Sequence, residues 1–146
     1  MGPPGSGKTH LLTAVCNALL SRNVSVHYFP WVGGSNDLRD AIRDGSETIH
    51  TLINRMKAVD ALYIDDLFKG RKEPTPFQLE FLFDVINDRY LNHKAIMISS
   101  ERDIEQLCDI DEGIGSRIYE MCKDYTVIMR LTAQEQDLVL NYRLVP

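Results

Sequence analysis

The chain has little of what marks secreted, membrane-bound or zinc-dependent proteins. Its three cysteines, Cys16, Cys108 and Cys122, form no C-x-x-C pair and share no ligand spacing with histidines. This scatter argues against a disulfide framework or a metal cluster and suits thiols in a reducing compartment. No apolar run reaches the length of a membrane span, and no signal-peptide pattern is present. We therefore expect a cytoplasmic protein with no membrane partner.

Positive charge is also scarce. The chain has 16 Lys and Arg against 21 Asp and Glu, which gives a net charge of -5. A surface coated in basic residues is excluded, so any contact with nucleic acid has to come from local patches. The 146 residues, 44% of them apolar, predict one domain with a substantial core.

A complete phosphate-binding loop begins at the second residue. The pattern G-x-x-x-x-G-K-[ST] is filled by Gly2, Pro3, Pro4, Gly5, Ser6, Gly7, Lys8 and Thr9. Glycines let backbone N–H groups turn toward phosphate oxygens, the lysine reaches the β- and γ-phosphates, and the threonine hydroxyl can bind Mg²⁺. The following "HLLTAVCNALL" predicts a helix whose N-terminus favours an anion. We expect these residues and the adjacent His10 to bind ATP with Mg²⁺.

The segment in front of this loop is nearly absent from the sequence. A buried strand normally leads into such a loop, yet only Met1 precedes it here. We expect this first strand to be truncated, through a mis-called start codon or a cut chain. Two neighbouring strand edges would then lack a partner, so we expect the chain alone to be poorly stable or to aggregate.

Alternating strands and helices follow the loop. Apolar, β-rich runs predict strands at 24–29, 61–67, 94–100 and 125–131. Helical spacing predicts helices over 35–45, capped by Ser35 or Asn36, over 46–60, capped by Ser46, from Thr75 to about Asn92, and over 102–110 and 112–124. The alternation predicts an α/β three-layer sandwich with a mainly parallel sheet.

Two carboxylates end the buried run "ALYIDDL". A phosphate-binding loop needs a second element that holds Mg²⁺ from the far side and aims a water at the γ-phosphate. We expect Asp65 to act on Mg²⁺ through water and Asp66 to polarise the attacking water. The alternative is that both acids are simply solvated at a strand end.

Four segments together resemble a known family. "GPPGSGKTHLL", "YIDDL", "IMISSERDIEQL" and "GIGSRIYEM" are similar to the AAA+ ATPases of the DnaC/DnaI helicase-loader type, which are related to IstB and DnaA. The resemblance implies that residues 1–146 are an AAA+ ATPase core without the helicase-binding N-terminal region. Only fifteen residues follow "YTVIMRL", which implies a reduced or absent lid.

The function implied by this resemblance is that of a bacterial or phage replication protein. Such a protein hydrolyses ATP, forms a homo-oligomer when ATP-bound, and places the replicative helicase on single-stranded DNA. The resemblance also makes Glu101 the sensor 1 residue, with Ser100 beside it, and Arg117 the arginine finger that reaches the neighbouring subunit's γ-phosphate. Alternatively, Ser99 and Ser100 cap the next helix, and Arg117 forms a surface salt bridge with Glu120.

Other features have weaker signals. The basic loop "KGRK" (69–72) is either solvated or, in a ring of subunits, turned toward single-stranded DNA, with the solvated loop preferred. Trp31, Tyr28 and Phe68 are better explained by core packing than by stacking on bases. The four histidines are isolated, so we give none of them a role in acid–base chemistry.

Rival functions stay open at this point. An IstB-like transposition ATPase would carry nearly the same core motifs. A small-molecule kinase would need an acceptor pocket and a mobile arginine-rich lid, and neither is visible in the sequence. A nucleotide-binding module with little hydrolysis is the third rival, because Asp66 is one methylene shorter than the glutamate of most AAA+ proteins.

Overall fold

A parallel sheet positions the candidate site. The computed structural model describes residues 1–35, 48–70 and 73–129. Within them the strands lie in the order β1 (Val26–Pro30), β2 (Ala61–Asp65) and β3 (Ala95–Ile98), all parallel. All five residues of the central strand β2 are buried, as its continuous apolar run predicts. Pro30 ends β1 at the edge of this sheet, where a missing N–H is tolerated.

Helices alternate with the strands, and this confirms the predicted α/β class. They are α1 (Lys8–Leu20), α2 (Thr48–Ala58), α3 (Pro76–Leu91), α4 (Ile104–Ile110) and α5 (Glu112–Cys122), followed by a 3₁₀ turn, Lys123–Tyr125. Helix α3 begins where predicted, because the Thr75 hydroxyl accepts from the Gln78 N–H and the Gln78 side chain accepts from the Thr75 N–H.

The core lies between the sheet and α3. Leu62 and Ile64 of β2 pack in one apolar cluster with Leu82, Val85 and Ile86 of α3, and all five side chains are fully buried. Each such side chain contributes roughly 1.5–3 kcal/mol by leaving water. This packing fixes the C-terminal end of β2, and therefore the position of Asp65.

A buried arginine ties the opposite end of the sheet together. The Arg89 guanidinium donates to the backbone oxygens of Met56, Val59, Asp60 and Ala95. These carbonyls belong to the end of α2, the turn after it, and the first residue of β3. One buried side chain therefore joins the end of α2, the turn after it and the start of β3.

One helix begins earlier than the sequence suggests. Residues 31–35 are already helical, so the predicted caps Ser35 and Asn36 do not mark the start. The Ser35 hydroxyl donates to the Trp31 carbonyl 2.8 Å away, a bond typical of a helix interior. The rest of that predicted helix, and the cap at Ser46, lie outside the described residues.

The last predicted strand, 125–131, is not formed as a strand in its described part. Residues 126–129 carry no regular element, although the Met1 N–H donates to Val127 and Met129 donates to the Met1 carbonyl. On its other side this N-terminal stretch bonds to the end of β3, because the Gly2 N–H donates to the Ser100 carbonyl. Both bonds to residues 127–129 involve Met1, and one paired residue is too short a ladder to define a strand. Residues 130–146, and with them the predicted reduced lid, lie outside the description.

An apolar cavity of about 390 Å³ adjoins Met1. Side chains of α1, including Leu12 and Val15, and of β3, including Ile96 and Ile98, line it. Only β2 pairs with β3 among the described strands, so the other edge of β3 faces this cavity. The poor stability that we expect for the chain stays a prediction.

Candidate functional site

The glycine-rich loop wraps around its own lysine. Lys8 is only 8% exposed, and its ammonium donates to the carbonyl oxygens of Gly2 and Pro3, each at 2.7 Å. Gly5 and Gly7 have φ angles of 77° and 87°, which a side chain would disfavour. Helix α1 begins directly after Gly7, so its first N–H groups and the lysine share one end of the helix.

A cavity of about 290 Å³ opens at this end of α1. The residues that line it are Pro4, Gly5, Gly7, Lys8, Thr9, His10, Thr13, Asp66 and Lys69. The structure therefore brings most of the predicted loop, His10 and Asp66 to one cavity. Thr13 and Lys69 are additions that the sequence analysis did not assign to it. Thr13 lies one helical turn beyond Thr9, a spacing that could have indicated it.

Four hydroxyl groups surround Asp65. Its Oδ1 accepts from Thr9 at 3.1 Å, from Tyr63 at 2.6 Å and from Ser99, and its Oδ2 accepts from Tyr28 at 3.1 Å. We call this group the hydroxyl side of the site. The carboxylate is 6% exposed, so its partners replace the water that burial removed.

The hydroxyl side sets the charge state of Asp65. Burial acts to raise the pKa of this carboxyl, but the hydrogen bonds from Ser99, Tyr63, Thr9 and Tyr28 outweigh it, so the pKa lies below its ordinary value. Burial and the neighbouring Asp65 raise the pKa of Tyr63. Asp65 is therefore an anion at neutral pH, and Tyr63 is a neutral donor.

These residues fit a magnesium ion. The Thr9 hydroxyl donates a hydrogen bond to Asp65, so the lone pairs of its oxygen remain available to a cation. Mg²⁺ prefers oxygen ligands and is usually held by one or two protein groups together with substrate phosphates. Thr9 and Asp65 would hold the ion beside the phosphate-binding loop.

Asp66 has different surroundings from its neighbour. Its backbone is left-handed, with φ 55°, and its N–H donates to the Ser99 hydroxyl at 2.8 Å. Its carboxylate pairs with the Lys69 ammonium at 2.9 Å, and Glu101 pairs with the same ammonium at 3.1 Å. We call Asp66, Lys69 and Glu101 the charged side. The hydrogen bond to Asp66 is the largest cause that raises the pKa of Lys69, and Glu101 adds to it.

Lys69 corrects our interpretation of the basic loop. Its side chain is 31% exposed and lines the cavity, and its ammonium binds two carboxylates, so it is not a free cation for DNA. The rest of the loop at 71 and 72 lies outside the described residues. The spacing of Asp66 and Lys69 within one turn, closed by the Lys69 N–H and the Asp66 carbonyl at 3.0 Å, is the signal that could have revealed the pair.

The two serines after β3 do not cap the next helix. Asp103 caps α4, because its side chain accepts from the Gln106 N–H. Ser99 instead donates to Asp65, and Ser100 donates to the Leu67 carbonyl at 3.1 Å. The end of β3 is thus bound to the end of β2, which leads Glu101 to the charged side.

Aromatic residues near β1 divide into two groups. Trp31 and Phe68 are buried and meet edge to face, with ring centroids 5.0 Å apart, which confirms core packing for both. Tyr28 is 50% exposed and hydrogen-bonds to Asp65, so core packing is wrong for this residue. The parallel register pairs Tyr28 with Tyr63, and Tyr63 shares a strand face with Asp65 two residues on. The two-residue period of a strand could have indicated Tyr63, whereas Tyr28 depends on the register between strands, which the sequence does not show.

Arg117 lies in the middle of α5, not at its start. Asp111 caps this helix, which begins at Glu112. The guanidinium donates to the Asn87 side chain at 3.0 Å and to the Gly113 carbonyl at 2.8 Å, and it lies 4.9 Å from the centre of the Phe83 ring. The alternative salt bridge is wrong, since within the described ranges Arg117 pairs with no acid and Glu120 accepts from Tyr90. Its role as an arginine finger stays a prediction.

The chain is similar to known proteins in sequence and in fold. A family profile described as the bacterial DnaA ATPase domain matches residues 1–122. XkdC of the phage-like element PBSX, from Bacillus subtilis strain 168, is 50% identical over 148 residues, which cover 99% of this chain and 53% of that protein. AMPPCP-bound DnaA from Aquifex aeolicus has a TM-score of 0.68 at 25% identity, covering 98% of this chain and 43% of that one.

The fold is shared with a further replication protein. The crystal structure of the DnaC helicase loader has a TM-score of 0.66 at 22% identity, covering 88% of this chain and 73% of that one. The architecture is therefore that of an AAA+ P-loop ATPase domain. The chain spans about half the length of the curated relatives that it matches over nearly its whole extent. Across 1–35, 48–70 and 73–129, no helix combines the length and apolarity needed to cross a membrane.

Proposed function

We propose a function from one premise: the chain belongs to the family of bacterial DnaA ATPase domains. On this proposal it binds ATP with Mg²⁺ and hydrolyses it to ADP and phosphate. It does so as part of a DNA replication protein in the bacterial cytoplasm. That protein assembles with like subunits and places the replicative helicase on single-stranded DNA.

The observation that carries the ATPase proposal is the bond between Thr9 and Asp65. The 3.1 Å contact joins the phosphate-binding loop to the end of β2 across 56 positions of sequence. A threonine that donates to a buried carboxylate is oriented to give its lone pairs to a metal. The adjacent Asp66 then lines the cavity together with Lys8. On this proposal the positions of metal, phosphate and attacking water are neighbours.

Each residue has a separate task in this proposal. The backbone of the loop and Lys8 bind the β- and γ-phosphates, and Thr9 and Asp65 hold Mg²⁺, which supplies charge neutralisation when bound. Asp66 orients a water whose oxygen attacks the γ-phosphorus as the bond to the β-phosphate oxygen breaks. Glu101 senses the γ-phosphate, and Arg117 of one subunit acts on the nucleotide of another.

The replication part of the proposal is supported by relatives and by fold. DnaC is named a helicase loader, and a DnaA structure with AMPPCP and single-stranded DNA has a TM-score of 0.68 and 26% identity to this chain. The relative XkdC belongs to a phage-like element, a setting in which a dedicated replication protein is expected. Helicase and single-stranded DNA are the partners we propose.

Two assays test the two parts of this proposal. Release of ADP from ATP by the purified chain, with Asp66→Asn as the inactive control, tests hydrolysis. ATP binding without ADP release would support the binding-module alternative. Loading is tested by ATP-dependent displacement of an annealed strand from circular single-stranded DNA coated with single-strand-binding protein. A bacterial replicative helicase is used, with and without the complete replication protein of which the chain is proposed to be part. Hydrolysis without any gain in displacement would leave an ATPase that is not a loader.

A further inference from the structure

Lys69 lies between two acidic residues at the edge of the nucleotide cavity. Its ammonium is 2.9 Å from Asp66 Oδ2 and 3.1 Å from Glu101 Oε1, and its side chain lines the cavity with Lys8 and Thr9. The three side chains of the charged side are all partly buried, between 23% and 32% exposed. Their charges therefore act on the cavity through a poorly solvated boundary.

The loop that carries Lys69 is anchored on the side opposite the cavity. Phe68 is buried against Trp31, and its carbonyl accepts from the Arg102 guanidinium at 3.3 Å. Asp66 and Phe68 both have a φ of 55°, a left-handed conformation that only a firmly held turn maintains. Phe68 is buried in the core, and the next residue, Lys69, lines the cavity.

The charge balance of this group matters to a phosphate ligand. Asp66 and Glu101 bring two negative charges to the edge of the cavity, and Lys69 is the cation bound to both. A triphosphate carries about one more negative charge than a diphosphate, so uncompensated carboxylates would repel the triphosphate more strongly.

We propose that Lys69 is a specificity residue of the nucleotide site: its ammonium offsets one of the two negative charges of Asp66 and Glu101 and so lowers the electrostatic penalty that the cavity imposes on a nucleoside triphosphate relative to the diphosphate. This inference rests on the proposed ATP binding and extends it to discrimination between ATP and ADP. It assigns to the basic loop a role that neither a solvated segment nor a DNA-binding patch would have.

Substitutions at Lys69 separate charge from packing. Lys69→Met keeps most of the aliphatic stem and removes the charge, and we expect it to weaken ATP binding about tenfold and ADP binding by a smaller factor. Lys69→Arg keeps the charge and should retain most of the preference. Adding Glu101→Gln to Lys69→Met removes one uncompensated carboxylate and should restore part of the ATP affinity.

The measurement is competition of ATP and ADP with a fluorescent nucleotide on the 146-residue chain. Lys57→Met is the matched control, because Lys57 forms a 2.7 Å ion pair with Asp84 and is not among the residues that line the cavity. Equal weakening of ATP and ADP by Lys69→Met, no change, or tighter ATP binding would each overturn the inference while the proposed function stands. If the unsubstituted chain is folded by circular dichroism and binds neither nucleotide, both proposals are wrong.

Discussion

Asp65 and Asp66 are adjacent in sequence, yet they lie in two unlike regions of the site. On the hydroxyl side, Asp65 is only 6% exposed. It accepts from four neutral hydroxyl groups, those of Thr9, Tyr28, Tyr63 and Ser99. On the charged side, Asp66 is partly exposed and pairs with the ammonium of Lys69. Two consecutive acids at the end of one strand can therefore be held with very different firmness.

The two kinds of partner differ in strength. A hydrogen bond to a charged group contributes roughly 1.5–3 kcal/mol, whereas an exposed ion pair contributes about 0–1 kcal/mol. The hydroxyl side therefore fixes the orientation of its carboxylate, as a metal ligand requires. The charged side leaves its carboxylate free to exchange a lysine for another partner, such as a water.

We expect the largest effect from a change that affects both the hydroxyl side and the charged side. Lys8→Ala removes the buried ammonium from the cavity that both sides border, and we expect ATP affinity to fall about a hundredfold. Equilibrium binding of a fluorescent ATP analogue measures this loss. Lys123→Ala, a change at an exposed lysine after α5, is the control and should bind normally. Unchanged affinity in the Lys8 variant would contradict the site.

Arg117→Ala tests whether a neighbouring subunit completes the charged side. As a finger acting in trans, its loss should leave ATP binding intact and lower turnover about a hundredfold or more. Mixing with Lys8→Ala subunits should restore part of the turnover, because each variant supplies the half-site that the other lacks. ADP release from the mixture measures this. Absence of rescue, with both variants assembling, would show that Arg117 serves only its contacts with Asn87 and Gly113.

Smaller effects should be confined to the hydroxyl side. Tyr63→Phe removes the 2.6 Å bond to Asp65, and we expect the Mg²⁺ concentration for half-maximal ATP binding to rise about threefold to fivefold. Turnover at saturating Mg²⁺ should stay near its original value. Titration of nucleotide binding with Mg²⁺ measures the shift. Tyr119→Phe, at an exposed tyrosine of α5, should leave the midpoint in place.

Tyr28→Phe should give the smallest shift of all. Its bond to Asp65 is longer, at 3.1 Å, and its side chain is half exposed, so water can replace the lost donor. We expect the Mg²⁺ midpoint to rise by less than about twofold. A shift as large as that of Tyr63→Phe would mean that the effects of the two tyrosines on the Mg²⁺ midpoint do not follow their burial.

The sequence predicted the parts of the fold that local patterns determine. The apolar run of β2 and the start of α3 after Thr75 were predicted correctly, because strand burial and helix starts leave marks within a few residues. The start of the helical segment at Trp31 was missed, since a serine can bond inside a helix as well as cap one.

The candidate site could be predicted only in part for a similar reason. The loop and the two carboxylates are contiguous motifs, so their meeting at one sheet edge follows from parallel topology. The partners of Asp65 come from β1, β2 and the end of β3, and the role of Lys69 depends on where Phe68 is buried. Contacts of that kind depend on register and packing, which single-sequence patterns do not specify.

The most direct test of the account compares Asp65→Asn with Asp66→Asn in one Mg²⁺ titration that records both ATP binding and ADP release. We predict that Asp65→Asn moves the Mg²⁺ midpoint for ATP binding upward by about tenfold or more, because the metal loses its anionic partner. Asp66→Asn should leave that midpoint unchanged and lower ADP release at saturating Mg²⁺ by a similar factor or more. The same shift in midpoint for both variants, or normal turnover in Asp66→Asn, would contradict the division of roles between the two carboxylates.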